Sequence, residues 1–323
     1  MQEKSMSPVR HGSFSLPDEF VNLYVGADFC QMAAGGGPLQ DAYIGAEEQR
    51  LALYQALQHE YQVVGGAEFT FRPSPGLNLR ATCVRVVDGT PIFILRRFRR
   101  IPEIHELGLR TELIDFLMRP DLTGLVIIAG QQASGKTSTA ASLLRERLRR
   151  HGGVAAAVED PVETDLLGVH GAGRCLQFVA SAANGGYPEQ IKISLRTGAL
   201  LTLIGEVRDP VAAEQAVNAG INGHLILTTV HGGGITEAIE RVCSLAGRAM
   251  EQRDSANSIV AHGLTAVIHQ ELLSGAGSTM VISRGLYLHG AEQAVRDRIR
   301  KGEFSALEGE IDRRANELTW GNG

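Results

Sequence analysis

The stretch GLVIIAGQQASGKTSTA, Gly124–Ala140, decides the fold. Gly124–Ala129 is an unbroken apolar run of strand length, and Thr137–Arg150 carries a helical pattern, so a glycine-bearing turn joins a strand to a helix. Within that turn Gly130-Gln131-Gln132-Ala133-Ser134-Gly135-Lys136-Thr137 sets two glycines either side of four residues and follows them with Lys and Thr. Phosphate groups are held by such a loop for physical reasons. The glycines let backbone N–H groups close around phosphate oxygens, and the helix N-terminus adds positive potential. Lys136 reaches the β and γ phosphates, and the Thr137 hydroxyl binds Mg²⁺. Gly130 through Ser138 are therefore the candidate nucleotide-binding residues.

Outward from this loop, further apolar strands are expected at Val154–Val158, Leu200–Ile204 and His224–Thr229, separated by helical patterns such as Val211–Ala219. That alternation predicts a parallel sheet wrapped by helices. In such sheets ligands collect beyond the carboxyl ends of the strands. Two acidic clusters fall there: Glu159-Asp160-Pro161-Val162-Glu163 and Gly205-Glu206-Val207-Arg208-Asp209. Carboxylates so placed can hold Mg²⁺ or polarise water. Each cluster alone also reads as a solvated acidic turn; a phosphate-binding loop at the same sheet edge favours the site reading. His224 and His231 bracket the last of these strands at a spacing that fits no usual metal pattern. A strand-end histidine is more often packed or hydrogen-bonded, but one emerging beside a nucleotide could report the state of the γ-phosphate.

Ahead of this region, Phe14 to about Phe98 mixes short β-rich runs (Asn22–Val25, Leu77–Val87, Pro91–Leu95) with one helical stretch, Ala46–Tyr61, predicting a small α+β domain. Ala34–Pro38 reads as a loop and Arg72–Gly76 as a turn. The charged segment Arg96–Arg110 reads as a hinge leading into a helix at Thr111–Met118, which puts domains at 1–108 and 109–323. A length of 323 residues suits two domains, and 44% hydrophobic with 21% charged residues excludes a chain dominated by disorder. A net charge of −5 argues against general binding to phosphate backbones, so no direct nucleic-acid partner is expected. Cys30, Cys83, Cys175 and Cys243 are too widely spaced for a zinc knuckle and read as reduced, structural thiols. The N-terminal residues lack an apolar signal core, and no apolar run approaches ~20 residues, so a cytoplasmic location is expected.

Taken in order, these boxes resemble the type II/type IV secretion ATPase superfamily, whose branches include PilT-like and DotB/TraJ-like traffic ATPases. GQQASGKT looks like its Walker A box, VEDPVE like its aspartate box, LIGEVRD like its atypical Walker B and GHLILTTVH like its histidine box. VRDRIRKGEF, Val295–Phe304, is similar to a helix of the PilT branch, while LRATCVRV followed by IFILRRF looks most like the DotB/TraJ branch. The resemblance implies a RecA-like P-loop ATPase domain preceded by a smaller α+β PAS-like domain, in a homohexameric ring whose nucleotide sites lie between the two domains. It implies ATP and Mg²⁺ as cofactors, with Lys136 and Thr137 binding the nucleotide and the metal and with Glu159, Asp160 and His224 as further cofactor-binding residues. Glu206 is implied near the metal, and Glu206 and Glu163, unranked, as the residues that activate or position water, with His231 as the histidine-box residue. Arg80 and Arg96 match arginines that the N-terminal domain gives to phosphates, with strand-surface charge as the other reading. Implied partners are further copies of the chain and inner-membrane components of a secretion or pilus machine, with the chain peripheral at that membrane.

Two departures stand out: Thr197-Gly198-Ala199-Leu200 replaces the aspartates that often precede the Walker B strand, and Gly232–Gly234 follows His231 where relatives carry polar residues. The implied activity is that of an ATP-hydrolysing hexameric motor for type IV secretion, conjugative transfer or type IV pilus retraction. Extending-type pilus ATPases usually carry a tetracysteine motif and a further N-terminal domain, neither of which occurs in these 323 residues, so retraction-like or DotB-like roles are favoured. The alternatives are a RecA-like nucleic-acid motor, because the same core serves that chemistry, and a nucleotide-binding scaffold that does not hydrolyse.

Overall fold

The structure, a computed structural model, describes residues 14, 16–33, 38–42, 45, 47–74, 76–275, 278–288 and 292–311, the side chains of 253 and 273–282 excepted. Contacts divide the chain into two units: Met1–Arg99 with Pro161–Asp165, and Arg100–Asp160 with Leu166–Gly323. The sequence-based boundary near 108 falls inside the second unit, because Ile101, Ile104 and Leu107 are buried in that unit's core with Leu113 and Phe116.

In the first unit, β1 (Asn22–Val25), β2 (Cys30–Ala33), β3 (Gln40–Asp41), α1 (Glu47–Val64), β4 (Glu68–Ser74), β5 (Leu77–Arg85) and β6 (Pro91–Arg97) form a six-stranded sheet with one helix. The strand order is β3-β2-β1-β6-β5-β4, and the pairs are antiparallel. Alternating residues such as Leu79, Ala81, Phe93 and Leu95 are buried with Leu53 and Leu57 of α1, as a half-buried sheet requires. Arg72 to Ser74, expected as a turn, is the end of β4; the register shifts between Phe71 and Ser74, which lets Pro73 stand in a strand without breaking a ladder bond. Of the expected loop Ala34–Pro38, residues 34–37 lie outside the described residues.

The second unit contains α2 (Thr111–Leu117), β7 (Gly124–Gly130), α3 (Lys136–His151), β8 (Gly153–Glu159), β9 (Gly168–His170), β10 (Gly173–Val179), α4 (Gly186–Leu195), β11 (Leu201–Ile204) and α5 (Pro210–Ile221). It continues with β12 (Leu225–His231), α6 (Ile235–Ala249), α7 (Arg253–Gly263), β13 (Leu264–Gly275), β14 (Ser278–Tyr287) and α8 (Gln293–Lys301). Eight strands run in the order β14-β13-β7-β12-β11-β8-β10-β9. The pairs from β13 to β10 are parallel, and β14 and β9 close the edges antiparallel.

β7 shows why its sequence is apolar throughout. Leu125, Ile127 and Ala129 pack with residues of α5, α6 and α7, while Val126 and Ile128 pack on the opposite face with residues of α2 and α3. Helices cover both faces, so neither set of alternate residues reaches water. The functional consequence is directional: β7, β8, β11 and β12 are parallel, so Gly130, Glu159, Gly205 and His231 leave the sheet at the same edge.

Candidate functional site

Gly130 closes β7 and Gly135 caps α3, and both stand where side chains are excluded. Gly130 has φ +153°, and a Cβ there would sit 2.4 Å from the Gln270 carbonyl oxygen and 2.5 Å from Ser134 Oγ. Gly135 has φ +87°, in the left-handed region that glycine adopts without strain. Ala133 also has positive φ, at 62°, so the loop turns tightly through non-glycine backbone. α3 then runs 16 residues with no acidic side chain in its first turn, leaving the positive end of its dipole uncancelled by its own residues. Lys136 is only 7% exposed and its Nζ donates to the Gln131 carbonyl at 2.7 Å, which lays the ammonium across the loop. Gln131 and Gln132 are exposed, and Thr137 and Ser138 are partly so, at the start of the helix. Ser134 is 4% exposed, and its Oγ is buried without a hydrogen-bond partner.

Beside the loop, β8 delivers Glu159, 2% exposed, which accepts from Gln177 Nε2 at 2.5 Å. Asp160 follows; its N–H donates to the Tyr187 hydroxyl at 3.0 Å, and its carboxylate lies 3.6 Å from Arg208. Burial pushes the Tyr187 phenol well above its ordinary pKa, the charged form being costly away from water. At the end of β11, Gly205 packs against these groups: a Cβ would meet Tyr187 Oη at 3.1 Å and Glu159 Cγ at 3.2 Å. Glu206 is next, with its Oε1 3.6 Å from His231 Nε2 at the end of β12. Thr229 Oγ1 donates to the Gly205 carbonyl, and the Val207 N–H to the Thr229 carbonyl, so β12 fixes the backbone that carries Glu206.

The structure thus gathers Gly130–Ser138, Glu159, Asp160, Glu206 and His231 at one sheet edge. His224 does not join them. It precedes β12, and its carbonyl accepts from the Gly124 N–H at the start of β7; seven residues of strand at ~3.3 Å each put it roughly 20 Å from His231. Its Nδ1 lies 3.1 Å from the Ala199 carbonyl, the hydrogen-bonded strand-end role that such a histidine usually has.

Glu163, Arg80 and Arg96 belong to the first unit. The Glu163 carbonyl accepts from the Arg99 N–H at 3.1 Å and its carboxylate stands 3.9 Å from Arg99 Nη1. Arg80 and Arg96 are cross-strand neighbours on β5 and β6; Arg80 pairs with Glu68 at 2.8 Å and Arg96 Nε donates to Asn22 Oδ1 at 2.6 Å.

Sequence reasoning missed Tyr187, Gln177 and Gln270. Gln270 lies on β13 and is 1% exposed, and its Nε2 donates to the Ser134 carbonyl at 2.5 Å. Leu264–Leu272 reads LTAVIHQEL, and Gln270 stands in it between His269 and Glu271, so nothing in the sequence set its amide apart from its polar neighbours. Tyr187 and Gln177 gave no signal either, because their stretch carries no motif and no strong periodicity.

Residues 80–294 match the family described as Type II/IV secretion system protein. Among curated proteins, the chain is 27% identical over 186 residues to the type IV pilus retraction ATPase PilT of Pseudomonas aeruginosa, covering 57% of this chain and 52% of that protein. It is 34% identical over 149 residues to the competence protein ComGA of Bacillus subtilis, covering 44% and 39%. The aligned part spans about half the length of such relatives. Among solved structures, the pilus retraction motor PilT with bound ADP superposes with a TM-score of 0.75 at 20% identity, covering 91% of this chain and 86% of the other. The Legionella pneumophila ATPase DotB gives 0.70 at 18% identity, covering 91% and 84%. At these identities the likeness is one of fold.

Proposed function

The chain belongs to the Type II/IV secretion system protein family, and from that membership we propose that it hydrolyses ATP and uses the energy as a motor subunit of a secretion or pilus machine. The observation that carries this reading is the convergence of a buried loop lysine, Lys136, with the carboxylates of Glu159, Asp160 and Glu206 at one edge of a parallel sheet. That the curated relatives include a pilus retraction ATPase and competence proteins supports it.

The residues fit a nucleotide. The loop's left-handed glycines, the uncancelled helix dipole and the orphaned Ser134 hydroxyl form a cradle for polyphosphate. Lys136 would neutralise the β and γ phosphates, and Thr137 with Glu206 would hold Mg²⁺. When bound there, the ion would neutralise charge on the transferring phosphoryl group. Glu206 and Glu163 are the two candidates to orient or activate water, and His231, its Nε2 3.6 Å from Glu206 Oε1, is in this reading the histidine that reports the state of the γ-phosphate. Arg80 and Arg96 bind phosphate oxygens in this reading, which requires Arg80 to exchange its present pairing with Glu68, and Arg96 its bond to Asn22, for phosphate.

The second unit is then a RecA-like domain and the first a PAS-like domain. The working form is a homohexamer held at the cytoplasmic side of the inner membrane by components of the machine it drives. No described helix is long and apolar enough to cross a membrane. Phosphate release from Mg²⁺-ATP by the purified chain tests the enzymatic part; nucleotide binding without turnover would replace the motor with a scaffold. Sedimentation in the presence of nucleotide tests the ring.

A further inference from the structure

We propose that Gln270 is a positioning residue for the phosphate-binding loop, its buried amide orienting the Ser134–Gly135 peptide so that the Gly135 N–H faces phosphate. The inference rests on the reading of that loop as a nucleotide site. Gln270 touches the loop at three residues. Its side-chain Nε2 donates to the Ser134 carbonyl at 2.5 Å and lies 3.0 Å from where a Cβ on Gly135 would stand, and its backbone carbonyl oxygen lies 2.4 Å from where a Cβ on Gly130 would stand.

A trans peptide is planar, and its C=O and N–H point in opposite directions. Holding the Ser134 carbonyl against β13 therefore turns the Gly135 N–H away from β13. It is one of the backbone donors at the α3 N-terminus, where an anion would be bound. Without the anchor, Gly135 at φ +87° is free to take other conformations, because glycine pays little for leaving the left-handed region.

Core packing alone does not account for an amide at this position. Gln270 is 1% exposed and its Oε1 has no hydrogen-bond partner, so part of its polarity is buried uncompensated. Val267 and Ile268 on the same strand are buried without that cost. A residue that only filled space would be more favourable as a hydrocarbon. The amide is instead spent on a single bond to the loop backbone.

A bond that presents one N–H to the β phosphate acts on bound ATP, its transition state and ADP alike. Uniform binding of that kind raises KM when lost and leaves kcat nearly unchanged. The test uses the full-length chain as wild type, Gln270→Met and Gln270→Glu, with a fluorescent ADP derivative for Kd and ATP turnover for KM and kcat. Expected for both variants is a rise in Kd and KM on the order of tenfold, with kcat within about twofold. Melting of the Gln270→Met protein without nucleotide should be unchanged or higher, because an orphaned amide oxygen has been removed. Gln270→Glu keeps the side-chain size but turns an acceptor toward the Ser134 carbonyl, so it covers the case in which Gln270→Met folds poorly. Wild-type Kd and KM in either folded variant, with or without lowered melting, would overturn the proposal and leave Gln270 a packing residue. Lys136→Ala in the same assay separates the two levels: if it binds ADP as wild type does, the loop is not the nucleotide site and the inference falls with that reading.

Discussion

Glu206 stands two residues past the end of β11, on backbone tied to β12 through Thr229 and Val207. Changing it to Gln keeps the shape and removes the charge. Glu206→Gln should bind ATP with near wild-type affinity and lose turnover by a factor on the order of 10² or more. Glu163→Gln, measured in parallel for phosphate release, decides the order of the two carboxylates: the larger loss of kcat marks the one that works on water. If both turn over at the wild-type rate, the carboxylate that matters lies elsewhere. Tyr187→Phe leaves the Asp160 N–H without its acceptor, a loss of about 1 kcal/mol that should lower melting by roughly 2–4 °C and reduce turnover a few-fold. The raised pKa of the phenol keeps Tyr187 protonated well above neutral pH, so this effect should not vary between pH 6 and about 9. At this scale the sequence made the charged residues legible, because Lys136, Glu159 and Glu206 follow strands in a recognisable spacing. It left Tyr187 and Gln270 unread, because what matters about them is the neighbour they reach across the fold.

The elements that carry the site were readable because they are extreme. β7 is apolar at every position, and the observed Gly124–Gly130 differs from the expected strand only by its last residue. α3 and α5 were likewise expected within two residues of their observed ends. β10, α4 and the β13–β14 pair were not assigned: β10 mixes buried and half-buried positions, and α4 is short with weak amphipathic patterning. His224 was misplaced for a different reason. A histidine at either end of a strand looks alike in sequence, and only the parallel register with β7 shows which end meets the loop. The loop's dependence on glycine gives a direct element-scale test. Gly130→Ala drives a Cβ to 2.4 Å from the Gln270 carbonyl, backbone that cannot rotate away, at a φ disfavoured for alanine. Nucleotide affinity should fall by on the order of 10² or more with far-UV circular dichroism retained; wild-type affinity would show that the loop tolerates displacement and is not the rigid cradle described.

Across the whole molecule, the division into an antiparallel α+β unit and a parallel α/β unit was legible from the change in hydrophobic pattern. Its position was not, because the charged segment after Arg99 contributes Ile101, Ile104 and Leu107 to the second core. Nor did the sequence show that Pro161–Asp165 groups with the first unit and takes Glu163 with it. The ring reading makes its own demand: Arg80→Ala or Arg96→Ala should cut turnover by ~10³ or more if the guanidinium meets the transferring phosphoryl group, whereas a solvated strand arginine is worth almost nothing to catalysis. Turnover per chain should rise with protein concentration, and sedimentation should show a species of about six chains. Full activity in a monomer with both arginines dispensable would remove the ring and leave the ATPase standing. The central claim, that Gly130–Ser138 is the site of ATP binding and hydrolysis, is tested most directly by Mg²⁺-ATP phosphate release from the wild-type chain beside Lys136→Ala at equal concentration. The account predicts steady turnover by the wild type and none above background by the folded variant, whose nucleotide affinity is also sharply weakened; hydrolysis by Lys136→Ala at the wild-type rate would contradict it.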